Sequence, residues 1–293
     1  MAISDILYHY CKTDSFVSII RNRSIRLSSL SLSNDSMEGR LVKATILRLA
    51  EREGLDERAT AQLQESLAFV ERYIDGLGFC LSAHGDLLSQ WRGYADDASG
   101  VSIGFGRPYL ESLTKNSNNL DFGLHEVKYK KPEHEAEIED TYRELRNLID
   151  AGAFKRTGTT LLDARSPLQM VADDAAINKA NAELLIKLFA LAPKLYKLKA
   201  WAFSEEKEWR LVSVLEGNTF ENCEYRANRD RVIPFQTIPL TEMKFKNTRR
   251  KLKAIKEIIL GPKHETPVSV IQAMLKQNGF SEVRVKKSKA TYR

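Results

Sequence analysis

The stretch FCLSAHGDLLSQWRGYADDASGVSIGFG, residues 79–106, decides the fold class. It continues a short apolar strand, Leu77–Ala83, and passes through HGD into one helical stretch, LLSQWRGYA. It then turns at Asp96 and Asp97 and returns as a second strand, Gly100–Phe105. Similar short strands recur at Ile6–Tyr10, Ser24–Ser28, Leu124–Tyr129, Glu208–Leu215, around Val232–Pro239, Ile255–Leu260 and Glu282–Lys286.

Helical spacing marks Ser15–Asn22, where Asp14 is the expected cap, and the segment of about residues 37–75, with a break near Gly54. It also marks roughly 133–152 and 173–200, and Pro267–Gln277. Strands that frame blocks of helix do not make the regular alternation of a doubly wound sheet. The pattern predicts a single α+β domain over residues 1–293, with helical segments of about 37–75 and 133–200 inserted in or packed on the core. No repeat or linker marks an internal boundary.

Composition excludes several classes. Among 293 residues, 45 are basic and 39 acidic, a net charge of +6, too mild to be a nucleic-acid footprint by itself. Cys11, Cys80 and Cys223 form no CxxC pair, which argues against a disulfide framework and a thiolate zinc site. Cys11 and Cys80 lie in apolar strands, where buried, inert thiols are expected. The five histidines are scattered, so no metal is expected. There is no GxxxxGK[ST] loop, no GxGxxG after a strand, no HExxH and no GxSxG. No secretory signal and no membrane-length apolar run is visible, and a cytoplasmic protein without membrane contact is expected.

Four segments could carry chemistry. In Tyr8-His9-Tyr10, alternation sets the two tyrosines on one face and His9 on the other, where a neutral imidazole can both donate and accept. SLSNDSMEGR holds Asp35 and Glu38 at capping-box spacing before a helix, or forms a polar loop over a ligand. The helix LLSQWRGYA places Ser89 with Arg92, and Trp91 with Tyr94, at i,i+3. It offers either core anchors or a stacking platform with a cation beside it. In SEEKEWRLV, residues 204–212, Glu205, Glu206 and Lys207 are explained by solvent, whereas Glu208 and Arg210 continue into a buried strand.

With LYHYC, SFVSIIRNRSIRLSS, NDSMEGR, LSQWRGYADDASGVSIGF, KEWRL and VKKSKATYR in this order, the chain from residue 7 onward resembles the bacterial DUF2971 family, a family of unknown function. More distantly, its opening of strand with histidine, helix and I-R-L-S resembles ADP-ribosyltransferases of the His–Tyr–Glu type. That resemblance implies a split β-sheet core with helical insertions, and NAD as substrate without a metal. It implies His9 on the adenosine ribose, Tyr94 or Trp91 stacked on nicotinamide, and Glu208 as the catalytic glutamate. Tyr10, Ser89, Arg92 and Arg210 would complete the NAD site, with Arg92, Arg210 and Arg26 neutralising its diphosphate. The ADP-ribose acceptor would be a protein or nucleic acid, in the setting of a bacterial toxin or phage-defence effector.

The rivals are a nucleotide- or nucleic-acid-binding module and a metal-independent nuclease. The first would use Trp91, Tyr94 and the basic stretch KFKNTRRKLK, residues 244–253. The second would pair His9 with Glu208 as acid and base.

Overall fold

A computed structural model describes residues 5–32, 39–116, 122–155, 165–216, 220–228, 230–244 and 251–292. In chain order the elements are β1 (Ile6–Cys11), α1 (Thr13–Asn22), β2 (Ser24–Ser29), α2 (Leu41–Arg52), α3 (Glu57–Tyr73), β3 (Ile74–Ser82), α4 (Leu88–Tyr94) and β4 (Val101–Gly106). Then come α5 (Arg107–Lys115), β5 (Gly123–Glu126), α6 (Lys131–Asp150), α7 (Pro167–Phe189), α8 (Ala192–Leu195), β6 (Glu208–Glu216), β7 (Glu224–Asn228) and β8 (Arg231–Pro239). The last are β9 (Met243–Lys244), β10 (Lys251–Leu252), β11 (Ile255–Leu260), α9 (Val268–Gln277) and β12 (Arg284–Lys287). No described helix is long and apolar enough to cross a membrane.

The chain is α+β, with one large, mostly antiparallel sheet. Its strands run β12-β11-β4-β1-β3-β2-β8-β7, with β6 against β3 and β5 against β6. Among the described strands only the β11–β12 pair is parallel. Strand β6 pairs with β3 along its whole length, from Ile74↔Glu216 to Ser82↔Glu208. Strand β1 also pairs with β3 at its last residue, Tyr8↔Ser82, and β2 pairs with its middle, Ser28↔Gly78 and Ser29↔Leu77. Between Gly78 and Ser82 strands β1 and β2 part, and the site forms at that parting.

Two apolar cores cover the two faces of β3 and β6. On one face Leu77, Phe79, Leu81 and Leu211 join Phe16 and Ile20 of α1, Leu110 of α5 and Leu275 of α9. On the other, Val212 and Val214 join Leu49 of α2, Leu63 of α3, Leu145 of α6 and Leu184 of α7. The two helical segments predicted as insertions form this second layer together. Gly76 and Gly78 make room for it, because a Cβ at these positions would meet the Tyr196 ring at 2.4 Å and Leu30 at 2.6 Å.

Several local expectations are corrected. Lys12, not Asp14, is the N-cap of α1, and Asp14 accepts from the Ser15 amide within the first turn. The strand expected from Leu77 starts at Ile74. The helix expected over 173–200 runs Pro167–Phe189, with Ser166 and Gln169 in a reciprocal capping box, and α8 follows separately. Helix α5 and strand β7 were not predicted. Asp35 and Glu38 lie outside the described residues, as do residues 245–250 of the basic stretch.

Candidate functional site

Where β1 and β2 part, a cavity of about 370 Å³ opens, lined among others by Tyr8, His9, Phe79, Tyr94, Glu208 and Arg210. Strand β6 supplies the charged wall. Alternation puts Glu208 and Arg210 on one face of β6, and the register Cys80↔Arg210 and Ser82↔Glu208 sets Cys80 and Ser82 on that same face. The turn before it ends at Lys207, whose φ of 45° is left-handed; this conformation swings the chain so that Glu206 and Glu208 reach one lysine.

That lysine is Lys199. Its Nζ donates to Glu206 Oε2 at 2.6 Å and to Glu208 Oε2 at 2.9 Å. Arg210 grips Glu208 through Nε at 2.7 Å and Nη2 at 3.0 Å, and Nη1 donates to the Tyr196 carbonyl at 3.0 Å. The Tyr94 hydroxyl donates to Glu206 Oε1 at 3.1 Å, and the Glu208 amide donates to the Tyr129 hydroxyl at 2.8 Å. All four charged groups are buried, two cations against two carboxylates. Such a network is stable only when complete; removing one partner of a buried pair costs about 3–5 kcal/mol.

Burial would raise the Glu208 carboxyl, but Arg210 and then Lys199 outweigh it and hold the group down at about 2. Burial would lower the Lys199 ammonium, yet its anionic neighbours, Glu208 foremost, push it above its ordinary value. Both are therefore ionised at neutral pH. Burial raises the Tyr94 phenol, which stays protonated and able to donate.

His9 works differently. Its ring stacks on Phe79, with centroids 4.0 Å apart, and its Nδ1 donates to the Cys80 carbonyl at 2.8 Å. Burial pushes its pKa down to about 4 against the opposing effect of that hydrogen bond. The imidazole is thus neutral at pH 7, and Nε2, with no partner among the described residues, remains an acceptor.

Of the predicted site residues, His9, Tyr10, Tyr94, Glu208 and Arg210 line the cavity. Tyr10 spends its hydroxyl on the loop before α4, donating to the His84 carbonyl and accepting from the Leu87 amide. Trp91 does not line the cavity: it is fully buried, edge-on to Tyr10, with Nε1 bonded to Asp86. The predicted aromatic side of α4 is therefore divided, with Trp91 in the core and Tyr94 at the cavity. Ser89 and Arg92 also lie away from it, Arg92 over the Tyr292 ring.

Two expectations about burial are reversed. Cys80 is exposed rather than buried and borders the cavity. Glu206, expected to be solvated, is buried in the network. Lys199 was missed altogether; a lysine inside the apolar run LYKLKAWAF was the available signal. Among the described residues no group of three His, Cys, Asp or Glu side chains could hold a metal ion.

A family model described as a protein of unknown function (DUF2971) matches residues 90–211. The matched span contains Tyr94, Lys199, Glu206, Glu208 and Arg210, and leaves His9 and the C-terminal motif outside it. No curated protein and no solved structure matches the chain. The comparisons thus give no support to the likeness to ADP-ribosyltransferases.

Proposed function

We propose that the chain is an NAD-utilising, ADP-ribosyltransferase-like enzyme that transfers ADP-ribose to a protein or nucleic-acid acceptor. The observation that carries this reading is the meeting of His9, Tyr94 and Glu208, far apart in sequence, on one cavity. The parting of β1 and β2 along β3 supports it too, since the resemblance implies a split sheet.

The parts match the chemistry. Cleavage breaks the bond between nicotinamide N1 and ribose C1′, and the electron pair leaves with nicotinamide, which becomes neutral. The sugar left behind is oxocarbenium-like and positively charged. A carboxylate ionised at neutral pH, as Glu208 is, stabilises that charge and accepts a hydrogen bond from the 2′-hydroxyl. The Tyr94 ring offers a face for the flat nicotinamide. The free Nε2 of His9 suits a ribose hydroxyl as donor. The acceptor's lone pair then closes the bond to C1′, and its proton passes to the Glu206–Glu208 carboxylate pair. Arg210 contributes by orienting Glu208; its own donors are engaged.

The test is NAD consumption with release of nicotinamide, with and without bacterial lysate as acceptor source. Glu208→Gln is expected to lower turnover by about 100-fold or more, and near-UV circular dichroism checks that the variant is folded. Glu208→Asp, which keeps the charge, should recover part of the rate. No turnover by the wild-type protein, or full turnover by folded Glu208→Gln, removes the proposal.

A further inference from the structure

Two arginines on the β2–β8–β7 side of the cavity take no part in the chemistry above. We infer that Arg26 and Arg226, with the hydroxyls of Ser24 and Ser28, form a subsite for the diphosphate of a nucleoside diphosphate, an inference that rests on reading the cavity as a nucleotide site.

All four residues line the cavity. On β2, alternation turns Ser24, Arg26 and Ser28 to one face while Ile25 and Leu27 are buried on the other. Arg226 reaches across from β7, with Nη2 3.4 Å from Ser28 Oγ. The Arg26 guanidinium lies 4.6 Å over the ring of buried Phe235, which fixes its plane. Burial and then the charge of Arg26 push the Arg226 guanidinium below its ordinary pKa, as expected for neighbouring like charges.

Neither arginine has a carboxylate partner among the described residues. The acidic side chain on the same face of β7, Glu224, accepts instead from Thr237. The contrast with Arg210, held at both ends by Glu208 and the Tyr196 carbonyl, is direct. Arg92, expected to face phosphate, lies over Tyr292 away from the cavity. Two planar guanidinium groups without a carboxylate partner among the described residues, bordered by hydroxyls, match a diphosphate in charge and hydrogen-bond geometry. A cavity of about 370 Å³ has the volume of a small-molecule site, not of a groove that follows a nucleic-acid strand.

Calorimetric titration of the full chain with ADP, inorganic diphosphate, adenosine and a single-stranded oligonucleotide tests this. ADP and diphosphate should bind, and Arg26→Gln/Arg226→Gln should weaken each by about 30-fold while adenosine binding is unchanged. Arg26→Lys/Arg226→Lys, which keeps both charges, should lose less, and Arg26→Gln alone provides a readout at an exposed side chain. Absence of ADP and diphosphate binding by the wild-type protein overturns the inference. So does ADP binding indifferent to all these substitutions, or an oligonucleotide that binds through the same arginines more tightly than ADP. Arginine-dependent ADP binding by a protein that does not consume NAD upholds the subsite and removes the transferase reading. NAD consumption with unchanged KM in the glutamine double variant does the reverse.

Discussion

At His9 the fold keeps an imidazole neutral by burying it against Phe79 and occupying its Nδ1–H. The ordinary histidine pKa is 6.5 and the folded value is about 4. The unfolded chain therefore takes up a proton as pH falls below 6.5 while the native state does not, and stability is lost across that window. After allowance for the ring's partial exposure, the loss from His9 is about 2 kcal/mol. Asn offers the same donor without titrating. Urea denaturation of His9→Asn at pH 7 and 4.5 should show a loss smaller than the wild type's by that amount. His125, also pushed down to about 4 by burial, retains its own share of the slope. Equal losses in the two proteins would refute this assignment. Glu208 acts at lower pH, with its folded value near 2 against the ordinary 4.5, so its stabilisation is present above 4.5 and fades as pH falls toward 2. Glu208→Gln, which strands Arg210 and Lys199, should be less stable by about 3 kcal/mol at pH 7. The gap should narrow at pH 3, and a constant gap would exclude the linkage. His9, Glu208 and Arg210 were legible because strand alternation and burial made their placement unusual. Lys199 and Glu206 were not, because their meaning lies in a pairing that the left-handed Lys207 creates.

Helix α4 carries Tyr94 yet is only seven residues long, too short to hold itself together. Its anchor is Trp91, and the anchor's anchor is Asp86, which accepts from Trp91 Nε1 at 2.7 Å, Ser288 Oγ at 2.5 Å and the Lys289 amide at 2.7 Å. Asp86→Ala leaves a fully buried indole N–H without its partner, at a cost of about 2 kcal/mol. Hydrogen exchange should show faster exchange of the α4 amides in this variant, with the β3–β6 ladder amides unchanged. Unaltered α4 exchange would mean that the loop, and not Asp86, fixes the helix. The spacing of Trp91 and Tyr94 was read correctly, but residues three apart on a helix differ by about 60° in direction, enough to send one into the core and the other to the cavity. Helix α5 was readable in principle, from Pro108 in its first turn and buried Leu110 and Leu113 at i,i+3. Strand β7 was not: EYRAN has no apolar alternation, because it is an edge strand pairing only with β8.

At the level of the whole molecule, the sequence located the two helical segments but could not say that they pack on one face of the same two strands. That follows from β6, where Val212 and Val214 enter the helical core while Leu211 and Leu215, on either side of them, enter the opposite core. One strand thus belongs to both layers. If the helical layer unfolded alone, it would uncover Val212 and Val214 along with the Tyr196 and Lys199 contacts of the charged network. The two layers should therefore unfold together, with coincident far- and near-ultraviolet circular dichroism transitions in urea. Leu63→Ala, in the middle of the helical core and away from the cavity lining, should lower stability by about 2–5 kcal/mol. It should shift both transitions equally and leave the Kd for ADP unchanged, because the native cavity is intact wherever the protein is folded. Two separated transitions would show that the helices form an independent unit. A weakened Kd without loss of cooperativity would show that the helical layer shapes the cavity directly, through α8 and the Tyr196 carbonyl that holds Arg210.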